Sequence, residues 1–338
     1  MSRSVHAAAA AALRRHRTPA DGRPDIVTLV HYATLAASSH NTQPWTFEAG
    51  ADCVWVSADF SRRCPAVDPD DHHLFASLGC ATENLLLAAQ AFGYGGTCAW
   101  DAATSRIRID FASGPATRSA LFDAIPLRQC TRSLFDGKAL STGDLRSLEG
   151  AAAGNGVSVL MITDAGRRRS IADYVAAGND AQFPDRAWAD ELRSWIRFNA
   201  KEAIRSGDGL YGPVMGSPDV PRWLGRLAMR VAFSARKQNR KDLANILGSS
   251  AIAIIHSDAN DRVHWVEAGR CYQRLALQAT AMGLCTAFIN QPVEVAALRP
   301  QFASYLGIGA RRPDLVVRIG RGPAMPASLR RPVSAVLV

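Results

Sequence analysis

Two periods alternate along the chain. Asp25 to Ala37 (DIVTLVHYATLAA) spaces its apolar residues as one face of a helix, behind Pro24, a residue suited to a first helical turn. Thr46 to Ala58 predicts two strands about an AGAD turn, with Val54 and Val56 on one face. Arg106 to Phe111 (RIRIDF) alternates as a half-exposed strand should. Val157 to Thr163, Ala251 to His256 and Leu315 to Ile319 are apolar without alternation and predict buried strands. Leu140 to Ala153 predicts a second opening helix, capped by Ser141 or Thr142.

The strongest pattern is a repeat. Gly79, Leu85, Leu87, Ala89, Ala91 and Gly93 recur as Gly269, Leu275, Leu277, Ala279, Ala281 and Gly283, each 190 positions later. These predict two copies of one helix, near 72–92 and 264–282. Two copies are too few for a solenoid and imply two related halves packed as a pseudo-dimer, with any site at their seam. The opening helices align at a shorter offset, Leu29 with Leu148 and Ala33 with Ala152. The second half therefore carries extra chain, placed at about 165–248, which predicts either a lid over the shared cleft or a peripheral decoration. Gly93-Tyr94-Gly95-Gly96 follows a helix and reads as its C-cap and a turn, because a dinucleotide fingerprint needs a preceding strand.

Composition narrows the class. A chain of 338 residues, 48% hydrophobic and 20% charged, is that of an ordinary globular protein. The seven cysteines are scattered with no C-x-x-C pair, so neither a zinc knuckle nor a disulfide framework is expected, and a reducing cytoplasm fits. Residues 1–24 read as a helix or loose tail, since the alanine run precedes its arginines and a secretory signal needs charge first. No stretch is long and apolar enough to span a membrane, and no membrane partner is expected. Net charge is +9, with only four of the 39 basic residues lysine. Arg222, Arg226 and Arg230 share one helical face, but no aromatic residues interleave as single-strand binding requires, so nucleic acid is not the expected partner. The adjacent His72 and His73 should point apart, and no metal site is expected. No G-x-S-x-G indicates a hydrolase.

Three segments concentrate polar groups: Ser38-Ser39-His40-Asn41-Thr42-Gln43-Pro44-Trp45, Arg128-Gln129-Cys130-Thr131-Arg132, and the C-terminal Arg318 to Arg321 with Arg330-Arg331-Pro332. Arginines two or four apart in an extended segment, with a hydroxyl, suit a phosphate through charge-assisted hydrogen bonds. The serine-rich loop, ending in a flat aromatic, suits the polar edge of a planar heterocycle or forms an ordinary Asn/Ser turn.

Together these segments resemble the FMN-dependent nitroreductase superfamily, most closely its Acg-like subgroup of fused, single-chain members. SSHNTQPW looks like the family's P-S-x-x-N-x-Q-P-W segment and Arg128-x-Cys130-x-Arg132 like its R-x-S-x-R phosphate motif. The repeated helices, the strand DLVVRIGRG and the closing RRP run also match. The resemblance covers roughly residues 25–155 and 248–335. It implies an α+β, nitroreductase-like fold: two tandem halves, 25–120 and 121–338, forming a pseudo-dimer with central antiparallel sheets flanked by helices. It implies one FMN per chain, because the first half keeps only the Ser/Asn loop and the second only the arginines.

By resemblance, Arg128, Arg132, Arg330 and Arg331 grip the phosphate, while Ser38, Ser39, Asn41 and Gln43 address the ring system. Asn290 and Gln291 align with the segment along the flavin's reactive edge. Cys130 stands where Ser or Thr is usual and is a poorer donor; Thr131 beside it offers a hydroxyl. The implied activity is two-electron reduction of a nitroaromatic, quinone or similar small electrophile, with NAD(P)H as candidate donor. The alternative is a flavin-sequestering protein with little turnover. His40 is the only general-acid candidate, against a structural role. A fused pair completes its site as monomer or homodimer.

Overall fold

The computed structural model describes residues 3–17 and 25–338. Helix α1 (Arg3–Leu13) precedes α2 (Ile26–Thr34), whose first turn is capped by the Asp25 carboxylate accepting from Thr28 N. Pro24, expected to open this helix, lies outside the described residues, and the helix ends at Thr34 instead of Ala37. A hairpin of β1 (Trp45–Ala49) and β2 (Cys53–Ala58) leads to α3 (His72–Ala91), then β3 (Tyr94–Asp101) and β4 (Arg106–Ser113). The short α4 (Ala120–Ala124) is followed by α5 (Thr142–Ala151), where Ser141 and Asp144 form a reciprocal capping box. After β5 (Val157–Ile162) come α6 (Ala165–Gln182), α7 (Arg186–Trp195), β6 (Ile196–Arg197), α8 (Ala200–Ser206), β7 (Leu210–Tyr211), α9 (Arg222–Ala232) and α10 (Ala235–Leu247). The chain closes with β8 (Ala251–Ser257), α11 (Arg262–Ala281), β9 (Cys285–Phe288), α12 (Gln291–Glu294), α13 (Arg299–Leu306) and β10 (Arg312–Gly320).

One expectation is corrected here. Gly93, at φ +87°, does end α3, but Tyr94 to Gly96 are the first residues of β3. Gly96 lies in the pleat over Leu86, where a side chain would collide. Glycine marks a close approach at this point instead of a loop.

The two main sheets share one topology. The first has the order β1-β2-β4-β3 and the second β5-β8-β10-β9, every pair antiparallel. Matching α2 to α5 and α3 to α11 places β1 on β5, β2 on β8, β3 on β9 and β4 on β10. The segment from α6 to α10 thus replaces what is, in the first half, the turn Gly50–Asp52.

The repeated helices form the seam, and their contacts are reciprocal. A Cβ on Gly79 would sit 1.9 Å from the Val266 carbonyl oxygen, and one on Gly269 would sit 1.9 Å from the Ala76 carbonyl oxygen. Arg274 donates to Glu83 at 2.8 Å, while Gln273 donates to Asn84 at 2.7 Å. The offset of 190 carries Ala76, Gly79, Glu83 and Asn84 onto Val266, Gly269, Gln273 and Arg274, so each contact is the other's image. That is the self-complementarity of a two-fold interface, preserved inside one chain. The glycines recur because only they let the backbones approach so closely. One apolar core, including Leu78, Leu85, Tyr272 and Leu275, spans both halves.

Candidate functional site

Residues 38–44 leave α2 in a strained bend. His40, Asn41 and Gln43 have φ of 47°, 56° and 55°. The left-handed region costs a non-glycine residue roughly 1–3 kcal/mol unless its surroundings over-determine it. Here they do. The Asn41 amide donates to the carbonyls of Gly209 and Leu329, and its oxygen accepts from Arg330 at 2.9 Å. Gln43 donates to the Gly207 carbonyl and accepts from Arg331 N. The bend is thereby fastened to the α8–β7 connection and to the C-terminal tail. Ser38 Oγ accepts from Gln43 N, and Ser39 N donates to Ser77 Oγ.

Arginines gather beside this bend. Arg330, 6% exposed, donates to the carbonyls of Leu329, Leu35 and Ala36 as well as to Asn41. Arg128 reaches the Leu35 carbonyl at 3.3 Å. Arg14, which follows α1, donates to the Pro126 and Arg128 carbonyls. Arg14, Arg128 and Arg330 each keep a buried Nε without a hydrogen-bond partner, and so does Arg128 Nη1. None of the three forms an ion pair with a carboxylate among the described residues. Burial and the neighbouring Arg128 push Arg14 down to about 10. Burial, then Arg14 and Arg128, push Arg330 well below its ordinary range. Buried like charges with unpaired N–H groups are costly, and an anion among them would remove both penalties.

A groove runs from these arginines along the bend. Its polar end is lined by Arg14, Ser38, Asn41, Arg128, Cys130 and Arg330. Its wider end, a cleft of about 650 Å³ counting space open to solvent, is bounded by Ser39, His40, His73, Tyr272, Phe288 and Glu294, among others. Ala37, Ser38, Arg132 and Phe288 line both ends. The bend comes from the first half and the Arg128–Arg132 segment from the second.

Of the expected site residues, Ser38, Ser39, Asn41, Arg128, Cys130, Arg132, Asn290 and Arg330 line this groove. Four do not. The Gln43 side chain is spent on the Gly207 carbonyl and the tail. Thr131 is buried, its N–H on the Thr286 carbonyl and its own carbonyl accepting from Arg318. Gln291 turns to α6, donating to Asn179. Arg331 faces outward to the Ala335 carbonyl and to Asp59. Arg318 is structural: fully buried, it holds Thr131 and Ser133 and lies 4.0 Å over the Phe135 ring. His40 lines the cleft, but burial and then Arg132 push it down to about 4, which disfavours the imidazolium form that a general acid needs.

Sequence reasoning missed Arg14, which stands alone after an alanine run without a motif, and the acid–imidazole array at the far wall. His73 Nδ1 lies 3.6 Å from Asp68 and its Nε2 3.5 Å from the Asn290 amide. Glu294 accepts from Gln182 at 2.7 Å, and its carboxyl is raised by burial against the lowering influence of His73. The expectation that His72 and His73 point apart is also corrected. Both occupy the first turn of α3, their ring centroids are 4.8 Å apart, and Asp68 closes a group of three metal-competent side chains. The Asp68 oxygens, however, accept from His73 N and Leu74 N, and His72 pairs with Asp314 at 2.9 Å. These bonds are those of a helix N-terminus and a buried neutral pair.

The groove offers arginines at one end and, at the other, a chamber lined by the aromatic rings of Tyr272 and Phe288 with His73 and Glu294 on its wall. Comparison with known proteins agrees in kind. Two Mycobacterium tuberculosis proteins named as NAD(P)H nitroreductases are 26% identical to this chain over 365 aligned residues, covering 100% of it and 97% of each relative. A Serratia NAD(P)H nitroreductase, PigM, is 26% identical over 61% of this chain and 60% of its own. Among solved structures, the FMN-dependent nitroreductase NfnB of Mycobacterium smegmatis in complex with NADPH covers 60% of this chain and 87% of its own, at 14% identity and a TM-score of 0.40. A nitroreductase with bound FMN from Desulfitobacterium hafniense covers 64% and 96%, at 12% identity and a TM-score of 0.37. No family model matches the chain.

Proposed function

We infer that this chain, which belongs to the nitroreductase superfamily, binds one FMN in the groove between its halves and acts as an FMN-dependent oxidoreductase with NAD(P)H as donor. The observation that carries the reading is the set of guanidinium groups on Arg14, Arg128 and Arg330, each with an unpaired N–H, gathered at one end of a groove that widens into a cleft lined by Tyr272 and Phe288. A phosphate would pair with the guanidinium groups that line the groove, and a planar ring system would lie along the bend beside Phe288. Two halves contributing complementary parts agree with the fused, single-chain organisation of the Acg-like subgroup.

When bound, FMN supplies hydride exchange between a nicotinamide and an electrophile such as a nitroaromatic or quinone. The protein's residues position and insulate. Arg14, Arg128, Arg132 and Arg330 would hold the phosphate, with Arg330 also locking the bend through Asn41. Ser38 and Ser39 would line the polar edge of the ring. Tyr272, Phe288 and Leu315 form the apolar wall that keeps water from the reacting face. Asn290 is held in place by its carbonyl oxygen accepting from Val316 N at 2.8 Å. Glu294 stands on the cleft wall, its carboxyl pushed up by burial against the lowering influence of His73. The α6–α10 segment reaches the site through Leu210, which lines the groove, and through Gln182, which donates to Glu294.

Stopped-flow mixing of the FMN-loaded protein with NADH and NADPH tests this reading. Rapid bleaching of the flavin band with either donor is expected. Tightly retained FMN that neither donor bleaches would contradict an oxidoreductase and leave a flavin-sequestering protein.

A further inference from the structure

Helix α9 wears its sides in an unusual order. Among its described side-chain positions, Gly225 and Met229 alone turn toward the body, with Phe198 packed where a Gly225 side chain would be. Phe233, just past the helix, stacks on Phe183 at 4.5 Å and anchors that end. Trp223, Leu227 and Val231 are four residues apart, so they drift by only roughly 40° per step and form one stripe. They are 69%, 51% and 79% exposed. The stripe lies on the side of the helix away from Gly225 and Met229. Soluble proteins rarely leave so continuous an apolar stripe uncovered without a use for it.

The flanking charge says what the use is. Arg222, Arg226 and Arg230 form a second stripe between the apolar one and the body. Arg222 pairs with Glu202, whereas Arg226 and Arg230 have no acidic partner among the described residues. An apolar face that points outward, bordered by guanidinium groups set one step back toward the protein, matches the layering of a lipid surface. There, apolar side chains enter the acyl boundary and arginines reach the headgroup phosphates. We propose that α9 is an interfacial helix that docks this protein onto an anionic lipid surface. This concerns surface binding, for no helix among the described residues is long and apolar enough to cross a membrane. It is independent of the flavin site.

Sedimentation of the full chain with vesicles tests it, using an equimolar mixture of phosphatidylcholine and phosphatidylglycerol against phosphatidylcholine alone. The protein should pellet with the anionic vesicles and stay in solution with the neutral ones. Each arginine near such a surface is worth about fivefold in partitioning, so the Arg226→Glu/Arg230→Glu variant should bind at least ~25-fold more weakly. The Trp223→Ser/Leu227→Ser variant should lose the interaction while keeping the wild-type melting temperature, since both positions are exposed. Failure of the wild type to pellet with anionic vesicles at low salt would overturn the proposal, as would equal partitioning of wild type and variants. So would a dimer in sedimentation velocity that the Trp223→Ser/Leu227→Ser variant breaks, because the face would then belong to a second copy.

Discussion

The two main sheets have the same strand order and opposite surroundings. In the first, β4 (RIRIDFAS) buries Ile107 and Ile109 and turns its charged residues outward, with Arg106 and Arg108 over Trp55. In the second, β8 and β10 are buried at every position. Ala253, Ile255 and Val317 face the core shared with the first half, while Ile252, Ile254 and Val316 face a separate cluster. That cluster includes Ile171 and Val175 of α6 and Ile246 of α10. A turn joins β1 to β2; five helices separate β5 from β8. The same topology thus gives a one-sided or a two-sided sheet according to what is inserted, and the composition of each strand follows. The insertion covers the second sheet and also reaches the groove, so the site is asymmetric although the scaffold is not.

The symmetry itself breaks most severely at the seam. Replacing Gly269 with Val puts side-chain atoms into the Ala76 carbonyl, so a loss of about 4 kcal/mol or failure to fold is expected in denaturant melts. A loss under about 1 kcal/mol would mean that the helices are not so closely apposed. The sheets come next. Ile254→Ala, under the insertion, should cost ~3 kcal/mol, whereas Arg108→Ala on the open face of the first sheet should cost under ~0.5 kcal/mol. Equal costs would dissolve the contrast. At the site, Arg128→Ala should weaken FMN binding by roughly 10- to 100-fold, because it removes charge-assisted bonds. The same change should raise the melting temperature of the flavin-free protein, since it relieves buried like charge. An apo-protein destabilised by this change would contradict the account of the cluster.

The smallest effect is on pH dependence. Burial pushes the carboxyls of Asp68 and Asp314 up to about 7, from the usual range near ~4. The folded state therefore binds more protons than the unfolded between those values. The stability these groups give is present at the acid end and is lost as pH rises from about 4 through about 7. His72 and His73, kept neutral by burial, act in the opposite sense, so the net slope is shallow. In Asp314→Asn, denaturation midpoints taken near pH ~5 and ~7 should show a smaller fall, or a larger rise, than in the wild type. An unchanged slope would contradict the assignment.

What could be read from sequence was what repeats or alternates. The paired helices were legible because Gly79 and Gly269 must both be glycine, and β4 because its pleat faces water on one side. The groove's arginines Arg128 and Arg330 were legible as parts of compact motifs. Gln43, Gln291, Thr131 and Arg331 were misplaced because their partners lie far away along the chain: Gly207, Asn179, Thr286 and Asp59. The bend around Asn41 is rich in polar groups, and much of that polarity holds the bend in its left-handed conformation. Arg14 offered no signal at all, since its place comes only from α1 packing on α8 and the C-terminal tail, which brings it to the Pro126 and Arg128 carbonyls. His72 and His73 looked divergent because their spacing was considered without their separate partners, Asp314 for His72 and Asp68 for His73.

The most direct test is an equilibrium titration of flavin-free protein with FMN, followed by flavin fluorescence and by the melting temperature. Saturation at one FMN per chain is expected, with a melting temperature that climbs with FMN concentration by mass action and a clear weakening in Arg128→Ala. A melting temperature indifferent to FMN, or two equivalent flavins per chain, would contradict a single site assembled from two unequal halves.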